Sequence, residues 1–411
     1  MKKLLFWAIM AFALCGCGDE AVDINSLTQQ TVFVYMPWSG SSEQSGLYEI
    51  FLQNLDSIES AIIKKGGLGK TRVLVFLSQS ANSSTLYEVN YENGSCSHKT
   101  IRNYDGHDYT TVEGLTTIFN EVKRSASALN YALIVGCHGT GWTPFEAWQN
   151  YPFNAKPSLS GPSAQSSALQ VKQNNPSADY PRTRFFGSVT DSNYATNITT
   201  LAEAIEKAGL HMQFILFDDC YMANVETAYE LRNVTNFLIA STSEVMDIGM
   251  PYADMWASLN SSTPKYSTAV SAFKNYYDSY NPPCGTIAAI DCRQMDNLAD
   301  IMRQINTQCT FDESLLESVQ LLDGFNVPLF YDFGDYVSKL CTDPYLLETF
   351  TNQLAKTVSS MAATEQIYSY LYVIPQFIPI KSFSGLTISD PSQNPVALRA
   401  KTSTNWWKAT H

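Results

Sequence analysis

The chain has no long apolar run after its first residues, and it is short of positive charge. Beyond residue 16, no stretch reaches the roughly 20 apolar residues that a membrane-spanning helix needs. Its 26 lysines and arginines are outnumbered by 39 aspartates and glutamates, which gives a formal net charge of −13. This balance argues against nucleic-acid binding. The composition therefore predicts a soluble body without a nucleic-acid partner.

The cysteines lack the spacing of a zinc module. Nine cysteines occur, and seven of them follow the N-terminal region: Cys96, Cys137, Cys220, Cys284, Cys292, Cys309 and Cys341. None of the seven forms a CxxC pair, and their odd number predicts at least one free thiol. No cofactor and no metal ligand are predicted, while a metal-ion requirement stays open.

The first residues predict a secretion signal. A short basic start, Met1 to Lys3, precedes the apolar run 4–14, and "LCGC" at 14–17 resembles a bacterial lipobox. Residues 1–16 are then a lipoprotein signal peptide, Cys17 carries the lipid, and 17–28 form a tether. An ordinary signal peptide cut nearby is the alternative. Loss of the two lysines would change the formal charge from −13 to −15. The expected location is the bacterial cell envelope, with the protein anchored to a membrane on the periplasmic side or at the cell surface.

Short apolar strands alternate with amphipathic helices, which indicates an α/β chain with a parallel sheet covered on both faces. The expected strands are 31–36, 72–77, 131–136 and 212–217, and the expected helices lie near 45–64, 112–128 and 201–209. A helix is also expected from Met222 onward. Later elements are helices near 267–280, 293–306 and 344–362, and strands at 285–291 and 368–374.

The polar segment 143–190 divides this pattern, because it has too few apolar residues to bury. A loop of this length inside a domain is usually functional or disordered. The predicted division is a catalytic domain over 29–262, which includes this loop, and a smaller C-terminal α/β subdomain over 263–411.

Two polar clusters follow neighbouring strands of the predicted sheet. "GCHGTGW" (136–142) follows one strand, and Asp218, Asp219 and Cys220 follow another. Because the carboxyl ends of parallel strands share one edge of the sheet, His138 and Cys220 are expected to face each other.

A thiol beside an imidazole suits acyl transfer, since the imidazole can take the thiol proton and later protonate a leaving amine. The backbone amides of Gly139 and Cys220 are candidate oxyanion donors. The alternatives are a core cysteine and a turn histidine. The other four histidines, His98, His107, His211 and His411, are expected at the surface.

At these residues the chain resembles the clostripain-like cysteine peptidases, which have the caspase-type fold. "HGTGW" (138–142) is similar to the family's histidine motif, and "FDDCYMANVETAYEL" (217–231) to its nucleophile motif. "VFVYMPWSG", "GTIAAIDCRQMDNL", "YDFGDYV" and "SGLTI" resemble further blocks of the family, so that the likeness spans most of the mature chain.

The resemblance implies a mostly parallel caspase-like sheet flanked by helices, and cleavage after Arg or Lys. Asp218 matches the acid that binds the substrate cation. Two positions depart from the family pattern: Asp219 replaces a small residue, and Ile248 replaces a second acid, with Asp247 one residue earlier. An apolar side chain that reaches Ile248 and Met250 is therefore the alternative substrate.

The resemblance also implies a cut between the histidine and the cysteine, where 143–190 carries Lys156, Lys172, Arg182 and Arg184. The alternative is a passive insertion. The expected product is a monomer, or two associated chains, that acts on a peptide or protein substrate. Two other functions stay open: an inactive caspase-fold binding lipoprotein and a small-molecule amidase.

Overall fold

The computed structural model describes residues 27–40, 47–149, 151, 192–261, 263–370 and 376–411. Most of the described strands form one sheet of nine strands, and short paired strands lie outside it. The strands are β1 (Gln30–Met36), β2 (Thr71–Ser80), β3 (Ser83–Glu92), β4 (Ser95–Asp105), β5 (Asn130–Val135), β6 (Met212–Phe217), β7 (Phe237–Ala240), β8 (Thr286–Asp291), β9 (Tyr331–Asp332), β10 (Val358–Ala363), β11 (Gln366–Ser369), β12 (Gln376–Pro379) and β13 (Thr387–Ile388).

Eleven α-helices lie in the described part of the chain. They are α1 (Tyr48–Lys65), α2 (Val112–Ser125), α3 (Ile198–Lys207), α4 (Val225–Leu231), α5 (Tyr252–Leu259), α6 (Tyr266–Asp278), α7 (Met295–Gln308), α8 (Phe333–Leu340), α9 (Pro344–Thr357), α10 (Pro395–Ala400) and α11 (Asn405–Thr410). Within this part, none of the helices combines the length and the apolar character that are needed to cross a bilayer.

The large sheet has the order β10-β8-β7-β6-β5-β1-β2-β3-β4. Its middle, from β2 to β7, is parallel. Antiparallel strands extend it at both edges. The expected α/β class with a largely parallel, caspase-like sheet between helices is confirmed.

Alternation along β1 shows why the sheet is covered on both faces. Phe33 and Tyr35 belong to one core cluster, whereas Val32, Val34 and Met36 belong to the other. Helices α2, α3, α4 and α7 to α9 pack on the first face, and α1, α5 and α6 pack on the second. Each fully buried large apolar side chain contributes about 1.5–3 kcal/mol of burial free energy. The strands therefore form a central layer between two layers of helices.

Two of the predicted later elements have different bounds. The helix expected over 344–362 ends at Thr357, and 358–363 form β10. Of the strand expected at 368–374, the structure shows β11, which ends at Ser369, and residues 371–375 lie outside the described part. β8 and β10, both from the region after residue 262, join the same large sheet.

Candidate active site

The two predicted polar clusters leave the sheet side by side. Val135, the last residue of β5, pairs in register with Phe217, the last residue of β6. The Asp218 amide donates to the Val135 carbonyl at 2.7 Å, which carries the pairing one residue further. His138 and Cys220 each lie three residues beyond this pair. Both therefore leave the sheet at the same edge and at the same level.

The connection that carries His138 contacts the connection that carries Cys220 on both sides of the imidazole. Before His138, the Cys137 amide donates to Asp219 Oδ1 at 2.5 Å. After it, Gly139 lies so close to Cys220 that an added Cβ would be 2.4 Å from the Cys220 carbonyl oxygen and 3.0 Å from its amide nitrogen. The half-buried His138 is thus held between two residues that touch the segment 219–220.

The Cys220 thiol is completely buried. The Val245 amide donates to Sγ at 3.2 Å, and the thiol faces the Val245 carbonyl at 3.8 Å. Its apolar neighbours form a cluster that we call the cover cluster: Trp142, Ala147, Trp148, Tyr221, Val245, Phe325, Leu329, Phe330, Val396, Ala397 and Ala400. The thiol thus belongs to an apolar cluster and is closed off from solvent.

Tyr221, directly after the cysteine, has a left-handed backbone with φ of 63°. For a residue with a side chain, this conformation costs on the order of 1–3 kcal/mol and persists only where the surroundings enforce it. The Tyr221 amide donates to the Ser243 carbonyl, its hydroxyl donates to Glu244 at 2.9 Å, and its ring stacks on Phe330 with centroids 4.9 Å apart. The turn at Cys220 is therefore fixed by packing rather than by a glycine.

The helix after Cys220 begins at Val225, and the expected start at Met222 was wrong. Asn224 sets the start, because its Oδ1 accepts from the Thr227 amide at 2.8 Å and its Nδ2 donates to the Tyr221 carbonyl at 2.6 Å. The helix has seven residues, and it starts five positions after the thiol.

The glycines of the histidine motif are explained by close approach. Gly141 has φ of +65°, and a Cβ there would meet the Tyr221 carbonyl oxygen at 2.8 Å and the Phe330 ring at 2.9 Å. Trp142 ends the motif and donates from Nε1 to Ser389 Oγ at 2.9 Å. The motif thus packs the connection that carries His138 against the turn at Cys220 and Tyr221, and it bonds this connection to the C-terminal region.

Asp218 points to the opposite face of the sheet from Asp219. Its side chain is fully buried, and its two oxygens accept from the Met250 amide at 3.0 Å and the Tyr252 hydroxyl at 2.8 Å. Asp247 lies half-buried in the same connection as Met250. Of the two candidate specificity acids, Asp218 therefore contacts the segment 247–250, and Asp247 belongs to that segment.

Asp219 is the residue whose role sequence reasoning missed. It is 1% exposed, and its Oδ2 lies 3.3 Å from the Cys137 thiol, in addition to the amide bond at Oδ1. The sequence shows that Asp219 follows one predicted strand and that Cys137 follows another. It does not show that the two residues are in contact, because that contact depends on the register in which the ends of β5 and β6 pair. The acid directly before Cys220 thus links the two connections by hydrogen bonds.

Several buried carboxyl groups surround the site. Burial raises the pKa of Asp323 to about 7, against the opposing effect of backbone N–H donors that include Phe330. Burial also raises the pKa of Glu226, in α4, to about 8, and the nearby Asp390 raises it further. Asp323 and Glu226 lie in the packing around the turn that carries Cys220, and both accept backbone hydrogen bonds.

The other predictions concern the remaining histidines, metal ligands, and the N-terminal and loop segments. His98, His107, His211 and His411 are exposed, as expected. Within the described ranges, no group of three or more His, Cys, Asp or Glu side chains is arranged to hold a metal ion. Cys17, the signal region 1–16, most of the tether and most of the loop 143–190 lie outside the described residues.

Comparison with known proteins assigns the family. The model of the clostripain family, peptidase C11, matches residues 175–371. A secreted C11 cysteine protease from Bacteroides thetaiotaomicron, "iotapain", is 42% identical, with a TM-score of 0.80 over 94% of this chain and 99% of that chain. No curated protein matched the sequence.

Two further structures are similar. A clostripain from Bacteroides thetaiotaomicron, in complex with the peptide inhibitor BTN-VLTK-AOMK, is 49% identical, with a TM-score of 0.52 over 54% of this chain and 97% of that one. An inactive zymogen C11 protease from Parabacteroides distasonis shares the fold at 24% identity, with a TM-score of 0.75 over 94% of this chain and 99% of that one. The chain, with a histidine and a cysteine connection joined at one sheet edge, belongs to the clostripain family and is a C11 cysteine peptidase.

Proposed function

We propose that the protein is a lipid-anchored endopeptidase in which His138 and Cys220 form the catalytic dyad, and that it cleaves after Lys or Arg. The observation that carries the dyad is the register of β5 and β6, which brings both residues three positions past one paired level. The contacts of Cys137 with Asp219 and of Gly139 with Cys220 then fix the two connections against each other.

The chemistry follows from the two side chains. His138 takes the proton of the Cys220 thiol, and the sulfur attacks the scissile carbonyl carbon to form a C–S bond. His138 then protonates the leaving amine as the C–N bond breaks, and water hydrolyses the thioester to release the acid and restore the thiol. Donors of the type needed at the developing oxyanion are the amides of Gly139 and Cys220.

Asp218 is proposed as the main partner of the substrate cation. It lies two residues before the nucleophile, and the backbone and hydroxyl bonds to Met250 and Tyr252 fix its carboxylate. Asp247, half-buried nearby, is proposed as a weaker second acid. The inhibitor bound by the 49% identical clostripain carries lysine directly before its AOMK group. A basic residue before the cut bond is therefore the favoured substrate here.

Activation is proposed to follow a cut within 143–190. Trp148 and Tyr151 stand just before the part of this segment that is not described, and both rings pack on Phe325, at 5.5 and 6.2 Å between centroids. Phe325 also packs on Tyr221, beside the buried thiol. A cut after Tyr151 produces a free chain end there. The two rings that this end packs on Phe325, a member of the cover cluster, can then move.

Cys17 is proposed to carry the lipid that anchors the protein in the bacterial cell envelope. The proposed form is a monomer, either intact or cut into two associated chains. The "LCGC" run and the secreted relative support export. Metabolic labelling with a clickable fatty acid tests this, and Cys17→Ser is expected to lose the label. Equal labelling of the wild type and Cys17→Ser would exclude Cys17 as the anchor.

The dyad is tested by kcat/KM on a fluorogenic peptide with Lys before the reporter, together with labelling by a Lys-containing acyloxymethyl ketone. Cys220→Ala and His138→Ala are each expected to lower kcat/KM by roughly 10²- to 10⁴-fold, or more for the nucleophile.

Cys137→Ala is the matched control, since it removes a neighbouring thiol and retains the backbone amide that bonds Asp219. Circular dichroism melting shows that each variant is folded. Full turnover by a folded Cys220→Ala protein would overturn the dyad, and failure of the wild type to label or cleave would favour a binding protein.

A further inference from the structure

A cavity of about 80 Å³ lies beside the proposed base, and we call it the His138 cavity. His138, Gly139 and Asp219 are among the residues that line it. The buried Cys220 sulfur belongs instead to the cover cluster. The His138 cavity therefore touches the base and the residue before the nucleophile.

The His138 cavity and the proposed cation-binding acid lie on opposite faces of the sheet. Val135 and Phe217 line the cavity and belong to the core cluster of one face. Asp218 accepts from the hydroxyl of Tyr252, which belongs to the core cluster of the other face. The sheet edge that carries the dyad therefore separates the cavity from Asp218.

The proposed reaction places the two halves of a peptide on these two sides. The residue before the cut bond directs its side chain to Asp218, and His138 protonates the amine of the residue after the bond. That amine must come within about 2.6–3.2 Å of the imidazole. The residue that carries the amine is therefore next to the His138 cavity, on the side away from Asp218.

The His138 cavity has buried walls and reaches the protein surface at its rim. Trp38, Phe217 and Met222 are at most 5% exposed. Phe145 is half-buried, and Thr196 is exposed. The cavity is thus a recess with packed walls rather than a fully enclosed void.

The volume of the recess limits the side chain that fits. A cavity of roughly 150 Å³ inside a protein holds one benzene molecule. The His138 cavity, at about 80 Å³, is much smaller. It therefore suits side chains of the size of alanine, serine, threonine or valine, and it is too small for an aromatic ring.

Charged side chains are disfavoured there. Among the described residues that line the His138 cavity there is no lysine or arginine. The carboxylate of Asp219 already accepts the Cys137 amide and faces the Cys137 thiol. A basic side chain finds its opposite charge already bonded, and an acidic one lies beside a like charge. Because burial of a poorly paired charge is costly, the cavity favours an uncharged side chain.

Polar groups can still be bound in the His138 cavity. Within the described part of the chain, two buried polar atoms of its lining residues have no hydrogen-bond partner: Trp38 Nε1 and Ser39 Oγ. Most buried polar groups in folded proteins are bonded, so these two atoms favour an occupant that brings a polar group. Serine and threonine therefore fit as well as alanine and valine.

We propose that the His138 cavity binds the side chain of the residue directly after the cut bond, and that this side chain is small and uncharged. The inference rests on the proposed function, because it uses the roles of His138 and Asp218. It adds a second position at which the enzyme selects its substrate.

The test measures kcat/KM on internally quenched peptides with Lys before the cut bond and a varied residue after it. The wild type is expected to cleave before Ala, Ser, Thr or Val roughly 10-fold or more better than before Phe, Trp, Lys or Glu. A preference for large or charged residues, or equal cleavage of all the peptides, would overturn the inference. This measurement on the wild type decides even if a variant fails to fold.

Ile198→Ala enlarges the recess, because the half-buried Ile198 at the start of α3 lines it. It should raise kcat/KM for Leu and Phe after the bond, relative to Ala, by roughly 10-fold. Ile301→Ala in α7 is the matched control, since Ile301 is also half-buried against the same core cluster and does not line the recess. It should keep the wild-type preference. An unchanged preference in a folded Ile198→Ala enzyme would contradict the assignment.

A peptide aldehyde that ends in Lys separates this inference from the proposed function. It has no residue after the reactive carbonyl, so its inhibition constant should be the same for the wild type and Ile198→Ala. A wild type that neither binds the aldehyde nor cleaves any Lys peptide would overturn the proposed function. A wild type that binds the aldehyde and cleaves without selecting the following residue would overturn only the role of the His138 cavity.

Discussion

Asp219 Oδ1 accepts the backbone amide of Cys137 across 2.5 Å, and this bond joins the residue before the proposed nucleophile to the residue before the proposed base. Asp219 is 1% exposed, and its second oxygen faces the Cys137 thiol. A charged hydrogen bond in such surroundings contributes about 1.5–3 kcal/mol. The position of His138 relative to Cys220 therefore depends on a carboxylate that takes no part in the chemistry itself.

Asp219→Ala is expected to lower kcat by roughly 10- to 100-fold and to leave KM nearly unchanged, because it loosens the His138 connection and leaves Asp218, the proposed substrate-binding acid, in place. Asp219→Asn, which keeps one oxygen acceptor for the amide, should recover part of the loss. Steady-state kinetics on a Lys peptide measure both parameters. Cys137→Ala retains the amide and should keep most activity. A folded Asp219→Ala enzyme with the wild-type kcat would contradict this role.

The central sheet could be predicted from the sequence because its strands are short apolar runs that both faces bury, as in β1, β5 and β6. β10 could not be predicted in this way. Its sequence, "VSSMAA", has no apolar alternation, and the strand forms because it pairs with β8 at the sheet edge. Tertiary pairing there overrides the helical pattern that continues from α9.

At the site, the sequence identified the two connections because strand ends in a parallel sheet share one edge. It could not show the start of α4, since Asn224 caps that helix by reaching back to the Tyr221 carbonyl. Nor could it show the Asp219 bond or the burial of Cys220 in one cluster with Phe325 and Phe330, because these residues are far apart in the chain. Side-chain contacts of that kind depend on the packed structure.

Asp218→Asn is expected to reduce kcat/KM for Arg and Lys substrates by roughly 30- to 1,000-fold, since a partly desolvated ion pair of about 2–4 kcal/mol is lost. Cleavage after Leu or Phe should change little. A fluorogenic library varied at the residue before the cut bond measures this preference, and Asp247→Asn should show a smaller effect of the same sign.

Tyr252→Phe is the control for Asp218, because it removes the 2.8 Å hydrogen bond to the carboxylate and keeps the charge. It should preserve the preference for Arg and Lys at some cost in stability. If the wild type cleaves after Leu as well as after Arg, or if Asp218→Asn keeps the Arg preference, the basic specificity proposed for Asp218 is wrong. The apolar alternative at Ile248 and Met250 would then be favoured.

One or more cuts within 143–190 are expected to accompany the appearance of activity. The fragments should remain associated, because β5 precedes the segment, β6 follows it, and the two strands pair directly. Denaturing gels, intact mass and labelling by a Lys-containing acyloxymethyl ketone follow the cut and the activity together. A variant with Lys156, Lys172, Arg182 and Arg184 changed to Gln should stay intact and label slowly.

The control for this variant is Lys64→Gln with Lys65→Gln, two basic residues at the end of α1, far along the chain from the segment. It should be cut and labelled like the wild type. An intact wild-type chain that labels at the full rate and resists added trypsin within 143–190 would show that no cut is needed. Movement of the cover cluster would then have to occur in the uncut chain.

Stability is expected to fall as the pH rises from about 5 to about 8. Burial raises the pKa of Glu226 to about 8, and it raises the pKa of Asp390, also in the C-terminal packing, to about 7. Both groups have lower pKa values in the unfolded chain. Between those values the folded state binds more protons than the unfolded state, so the free energy of unfolding decreases with rising pH. Each unit of difference in pKa corresponds to about 1.4 kcal/mol.

Glu226→Gln isolates this effect. The amide oxygen can still accept from the Ser389 amide, which bonds Glu226 at 2.8 Å, but the buried side chain no longer ionises. Lys401 and His411 also face Asp390 and remain in the variant. Thermal melts should therefore show Glu226→Gln near the wild type at pH 5 and more stable than the wild type at pH 8.

The control is Glu230→Gln, on the same helix, whose carboxylate faces the exposed Asn405. This variant should leave the pH dependence unchanged. A wild-type melting temperature that rises from pH 5 to pH 8, with no gain for Glu226→Gln at pH 8, would show that Glu226 is ionised in the folded protein.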